Sequence, residues 1–208
     1  MRENEASLKE KLRAGLSQLH LELEVESIEA FLKYVRLIQK WNAVYNLTAI
    51  KDPVEILSHH ILDSLAIWPY ITAKTYLDVG TGAGLPGIPL AILFPEKQFT
   101  LLDSNSKKTG FLVEVVRQLE LKNVVVQHAR IESNASGAFD GVVSRAFASL
   151  DDFIKVGLPQ LNENGVLLAM KGPKVTEELT HFKGESVLYP LSVPFLNEAR
   201  FLCLIKAK

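Results

Sequence analysis

The 208-residue sequence predicts an α/β fold: an open, seven-stranded sheet with helices on both faces, preceded by an all-helical segment. Three features of the chain point there. From about Thr75 onward, short apolar runs alternate with helical stretches, the pattern of parallel strands joined by crossover helices. A glycine-rich turn follows the first of those runs. The last two runs are joined by a short connection, so the sheet should finish with an antiparallel pair.

The elements follow in order. Leu8, Leu12, Leu16 and Leu19 recur at helical spacing. Ile28, Phe31, Leu32, Val35 and Ile38 repeat it, with Ser27 placed to cap this second helix. Asp52-Pro53, a cap followed by proline in the first turn, opens a third helix through Ile56, Leu57, His60, Ile61 and Leu65, which Pro69 ends. Strands are expected at 76–79, 99–102, 124–127, 139–144, 165–170, 186–193 and 200–206. Helices are expected around 90–94, 107–121, 150–158 and 175–182. The expected division is a helical extension, 1–72, packed on a core domain, 73–208.

Composition excludes several classes. With 48% hydrophobic and 23% charged residues the chain can bury a core, so disorder is excluded. A net charge of −1 excludes a polybasic nucleic-acid coat, though not a local cluster of cations. A single cysteine, Cys203, excludes a disulfide framework and a cysteine zinc site within the chain. His59 and His60 are adjacent on a helix and point about 100° apart, and His20, His128 and His181 have no ligand spacing, so no metal is expected. The first residues are charged and lack the apolar stretch of a signal peptide, and no apolar run is long enough to span a bilayer. A cytoplasmic protein is the expectation, and a monomer, for want of an exposed heptad seam.

The informative segment is Asp78-Val79-Gly80-Thr81-Gly82-Ala83-Gly84-Leu85-Pro86-Gly87, between the first strand and the next helix. In an α/β sheet, ligands bind at the carboxyl ends of the strands. Glycines there take positive φ and let a ligand approach the backbone. Gly82, Gly84 and Gly87 fit a dinucleotide fingerprint literally. Asp78, Gly80, Gly82 and Gly84 fit the acidic-residue-then-glycines pattern of an S-adenosylmethionine site. Asp103, at the end of the second strand, suits either ligand, because its carboxylate would accept from both ribose hydroxyls. The methyl donor is favoured by Asp78, which could hold the donor's ammonium, and by the antiparallel ending.

Cations mark the same edge. Lys107 and Lys108 follow the second strand, Arg130 the third, Arg145 ends the fourth and Lys171 the fifth. A parallel sheet brings these ends together, giving a basic rim suited to a phosphate-rich partner. Ile131 could pack on an adenine ring, and Glu132 could meet its amino group. His60 and Asp63 can share a helix face and a hydrogen bond. Trp41, Tyr45 and Trp68 could stack on RNA bases, but at helical spacing among aliphatics they are expected in the core.

The stretch Asp78 to Leu90, with its two prolines, resembles the bacterial small-subunit ribosomal RNA N7-guanine methyltransferase family, RsmG, also called the glucose-inhibited division protein B family. Further matches are Trp41-Asn42 through Asn46-Leu47-Thr48, His59 through Ser64, Leu101 through Ser104, Phe139-Asp140 through Ala148, and Lys171-Gly172. The resemblance covers roughly residues 26–173. It implies a Rossmann-like, seven-stranded S-adenosylmethionine-dependent methyltransferase fold with S-adenosylmethionine as cofactor and S-adenosylhomocysteine as product. Gly80, Leu85, Ile131, Glu132 and Arg145 align with the family's cofactor contacts. The implied substrate is the guanine at position 527 of 16S rRNA, in the 530 loop, methylated at N7.

Guanine N7 has a free lone pair and no proton, so its methylation needs alignment and a dry pocket but no general base. No catalytic acid or base is therefore expected. Lys107, Lys108, Arg130 and Lys171 are read as RNA-positioning groups, and Arg145 as serving cofactor, RNA or both. Alternatives are a small-molecule methyltransferase, an NAD-linked oxidoreductase, and a cofactor-sensing RNA-binding protein without catalysis.

Overall fold

The computed structural model describes residues 2–133, 139–145, 147, 149–182 and 184–206. Helix α1 (Arg2–Gln18) and helix α2 (Val25–Tyr45) come first. Asp52 then caps α3 (Pro53–Ile56) by accepting from the Val54 and Glu55 amides, with Pro53 in the first turn. The helix continues through a π segment, Leu57–Leu62, into α4 (Asp63–Leu65). Ser27 does not cap α2. The helix starts two residues earlier behind an extended Glu24, and Glu26 supplies negative charge to its first turn.

The strands are β1 (Thr75–Val79), β2 (Gln98–Asp103), β3 (Val124–His128), β4 (Phe139–Arg145), β5 (Leu161–Lys171), β6 (Ser186–Leu191) and β7 (Arg200–Lys206). Between them lie α5 (Gly87–Leu93), α6 (Ser106–Leu119), α7 (Leu150–Gly157) and α8 (Val175–His181). The order across the sheet is β3-β2-β1-β4-β5-β7-β6. The first five strands are parallel, and β7 runs antiparallel to both β5 and β6. Sheet order reverses between β1 and β4, the switch point where α/β sheets open a crevice.

Alternation along each strand divides the core into two layers. Tyr76, Phe99, Leu101, Val143, Leu168 and Leu202 face α2, α5, α6 and the front helices, packing with Phe31, Ile38, Ile61 and Phe111. Leu77, Val79, Leu102, Val142, Leu167 and Cys203 face α7 and α8, packing with Phe153 and Val175. Cys203 is buried, which pushes its thiol up to about 11. Trp41 packs against Phe111 and Tyr45, and the Trp68 indole donates to the Leu19 carbonyl. No helix among the described residues is long and apolar enough to cross a membrane.

Gly141 on β4 lies opposite Tyr76 on β1. The Tyr76 ring stacks on Phe99 and its hydroxyl accepts from the Ala73 amide, so the ring is held on both sides. A Cβ on Gly141 would come within 2.4 Å of that ring. Gly141→Ala should therefore cost about 1–3 kcal/mol by overpacking. Gly110→Ala on α6, where a Cβ meets nothing, should stabilise by about 0.5–1 kcal/mol. Urea unfolding of the two variants tests both signs.

Candidate active site

The carboxyl edge of the sheet carries two cavities with a shared wall. The first, about 390 Å³, is bordered by Gly80, Leu102, Asp103, Ile131 and Glu132 at the ends of β1, β2 and β3. The second, about 560 Å³, lies at the ends of β4, β5 and β7 and is bordered by His60, Asp63, Arg145, Lys171, Glu178 and Arg200. Phe147 lines both. Ala146 and Ala148, which flank it in the motif, lie outside the described residues.

The first cavity is shaped by the glycine turn. Gly80 and Gly82 hold φ of +66° and +61°, and a Cβ on Gly80 would meet nothing within 4 Å, so this backbone is open to a ligand. Gly84 is different. At φ +92° its Cβ would come within 2.6 Å of Ile88 and 2.8 Å of Leu112, so packing alone demands glycine there. Gly84 and Leu85 do not border the cleft. The Gly82 amide donates to Asp103 Oδ2 (2.9 Å) and the Asn105 amide to Asp103 Oδ1 (2.8 Å), which fixes the carboxylate at the cleft. Each oxygen keeps a lone pair for a ribose hydroxyl. Tyr34, from α2, donates to the Ala83 carbonyl and braces the turn from the helical side.

Asp78 does not face the cleft. It is fully buried behind the turn, where Oδ2 accepts from the Thr81 hydroxyl (2.7 Å) and the Gly87 amide (2.8 Å). Alternation explains this: Asp78 shares a face with Tyr76, towards the helical layer. Burial pushes its carboxyl up to about 7, against the lowering pull of those two donors. Asp78 thus shapes the turn through Oδ2, while its Oδ1 has no hydrogen-bond partner among the described residues.

The cations do converge on one edge, but not as one free rim. Lys107 and Arg130 are exposed. Lys108 stands 3.9 Å from Asp103. Arg145 and Lys171, with side chains 18% and 7% exposed, are each held by a carboxylate, as half-buried charges must be. Arg145 Nη1 donates to Asp63 Oδ2 (2.9 Å) and to the His59 carbonyl (2.8 Å). Lys171 Nζ donates to Glu178 (3.0 Å) and to the Phe147 carbonyl (3.3 Å). Arg145 borders the second cavity and not the first.

His60 and Asp63 meet through Arg145 and not directly. Arg145 Nη2 stands 3.2 Å from His60 Nδ1, and His60 Nε2 stands 2.8 Å from Thr48 Oγ1. A guanidinium only donates, so Nδ1 accepts and neutral His60 carries its proton on Nε2. Burial, then the Arg145 charge, lowers its pKa to about 4. Asp63 is also 3.3 Å from Arg200 Nε. Sequence reasoning missed Arg200 and Glu178. Arg200 was within reach: β7 runs antiparallel, so its first residue must lie beside the end of β5, and Phe201 does pair with Lys171. Glu178 carried no local signal. Among the described residues, no three His, Cys, Asp or Glu side chains could hold a metal ion.

Comparison with known proteins agrees with this architecture. Residues 27–202 match the family model described as rRNA small subunit methyltransferase G. The chain is 48% identical to ribosomal RNA small subunit methyltransferase G of Hydrogenovibrio crunogenus, over 99% of this chain and 98% of that protein. It is 46% identical to the protein of that name from a Marinomonas species, over 95% and 97%. Among solved structures, a SAM-dependent methyltransferase from Aquifex aeolicus superposes with a TM-score of 0.58 at 18% identity, over 78% of this chain and 97% of that one.

Two buried groups give opposite pH signatures. Asp78 titrates at about 7 when folded against an ordinary 3.8, so its protonated form favours the fold and that stabilisation is lost as pH rises towards 7. Wild type should therefore lose stability relative to Asp78→Asn between these values. His60 titrates at about 4 against an ordinary 6.5, so stability is lost as pH falls through that window. Wild type should lose stability relative to His60→Asn there. Urea titrations at stepped pH check both, and parallel profiles would refute the assignments.

Proposed function

The chain belongs to the rRNA small subunit methyltransferase G family, and we propose that it transfers a methyl group from S-adenosylmethionine to N7 of a guanine in 16S rRNA, the 530-loop guanine at position 527. The observation that carries this reading is the pair of cavities divided by Phe147: an open glycine turn with a ribose-type acceptor on one side, a cation-bearing pocket on the other.

The residues of the first cavity fit the cofactor. Gly80 lets the ligand lie against bare backbone, and Asp103 accepts from the ribose hydroxyls. Ile131 and Leu102 offer apolar surface to adenine, and the exposed Glu132 accepts from its amino group. When bound, the cofactor supplies an electrophilic methyl carried on a sulfonium. Asp78, Gly84 and Leu85 support this site from behind.

The chemistry asks little more of the protein than positioning. N7 has no proton to lose, so no side chain acts as a base. Positive charge passes to the purine during transfer, and a free cation beside it would oppose the reaction. Arg145 and Lys171 are instead held by Asp63 and Glu178, so they shape the substrate cavity at reduced net charge. Lys107, Lys108 and Arg130 carry the contacts to RNA phosphates. The front residues, 1–72, act as an extension that walls the substrate cavity through His60 and Asp63. The segment 73–208 is the methyltransferase domain of a monomer.

Unmodified 16S rRNA and small subunits, incubated with labelled donor and then reduced and cleaved with aniline, should break at that one guanine. Label without such a break would assign methylation to another atom. Lys107→Ala should weaken RNA binding and lower the slope of log affinity against log salt by about 0.7, with donor affinity by calorimetry unchanged. Equal loss of both affinities would remove Lys107 from the RNA interface.

A further inference from the structure

We infer that Glu178 is the group that selects guanine, its Oε1 accepting from the purine's N1–H and 2-amino group inside the second cavity. This rests on the proposed reaction at N7. A guanine that turns N7 towards the cofactor cleft turns its pairing edge away from it. That edge presents two adjacent donors, for which a carboxylate is the complementary acceptor. Adenine presents an acceptor at N1, which a carboxylate repels.

The cavity offers two carboxylates: Asp63 is buried between two guanidinium groups, its Oδ1 without a hydrogen bond among the described residues, whereas Glu178 is the more exposed. Asp63 is 5% exposed, and its two oxygens face Arg145 at 2.9 Å and Arg200 at 3.3 Å. Glu178 has a side chain 26% exposed. Its Oε2 accepts from the Leu150 amide (2.5 Å) and from Lys171 (3.0 Å), whereas among the described residues Oε1 has one longer contact, 3.3 Å from Lys171. The carboxylate is therefore anchored mainly through Oε2, and Oε1, with one long bond, keeps lone-pair capacity for a further donor. Its placement suits the role: the Lys171 ammonium spans from Glu178 to the carbonyl of Phe147, the residue bordering both cavities. A base lying against Phe147 thus has the cofactor cleft on one side and a fixed acceptor within the same pocket.

The test pairs a protein change with a base change. 16S rRNA is assembled by ligation with guanosine or inosine at the target position. Inosine keeps N7 and N1–H and lacks the 2-amino group. Wild type should prefer guanosine by about tenfold or more in kcat/KM, the worth of one hydrogen bond to a charged acceptor. The same preference should appear in RNA binding without donor, by fluorescence anisotropy. Glu178→Ala should bring both ratios close to one. Should Glu178→Ala fail to fold, Glu178→Gln retains an acceptor of the same shape and should lower the ratio part of the way. Equal losses on both RNAs, with the ratio intact, would overturn the inference and leave Glu178 as a brace for Lys171. Absence of methylation of the guanosine RNA by wild type would count against the proposed reaction instead, and the binding ratio would still decide the role of Glu178.

Discussion

The interaction on which the second cavity depends is the set of contacts made by Arg145. This residue ends β4, the strand beside the switch point, and its guanidinium reaches back to the His59 carbonyl, His60 and Asp63. A guanidinium 18% exposed is stable only with its donors satisfied, and Asp63, 5% exposed, needs a cation just as strictly. Each therefore fixes the other. The π segment that carries His59 and His60 is held against the sheet by this exchange, and Thr48 continues the chain of contacts beyond His60. Removing Asp63 would leave the Arg145 guanidinium without its carboxylate, and removing Arg145 would leave Asp63 only the longer Arg200 contact, so the cavity wall and the junction of helices with sheet are maintained together.

The glycine turn divides its residues between two tasks. Gly80 leaves space at the cleft, Gly82 takes a positive φ without bordering it, and Gly84 admits the side chains of Ile88 and Leu112. Asp78 gathers Thr81 and Gly87 from behind, and Asp103 receives the Gly82 amide in front. One carboxylate shapes the turn from the core and another presents it to the cleft. Tyr34 couples this turn to α2, so the helical front end braces the turn behind the first cavity and lines the second through His60 and Asp63.

The charge pattern follows from burial. A chain of net charge −1 can still present cations to a polyanion if those at the surface are unpaired and those inside are neutralised. Lys107 and Arg130 are exposed and have no salt bridge among the described residues. Arg145 and Lys171 are of the second kind, each paired with a carboxylate, which reduces the net charge of the second cavity.

The sequence by itself determined the strand order of events: the β-period of Tyr76–Val79, the helical period of α2, the Asp52-Pro53 start, the antiparallel finish and the glycine turn are set by neighbours within a few residues. It also placed Gly80, Asp103, Ile131 and Glu132 at one cleft, because parallel strand ends must share an edge. Only the tertiary structure decided which charges are free. Asp63 and Arg145 lie 82 residues apart in the chain, and Leu150 reaches Glu178 across 28. Whether Asp78 looks into the cleft or behind it, and whether Lys171 meets solvent or Glu178, depends on which layer closes over each face. Local periodicity fixes a side chain's direction from its strand, but its partner comes from packing between segments that the sequence keeps far apart.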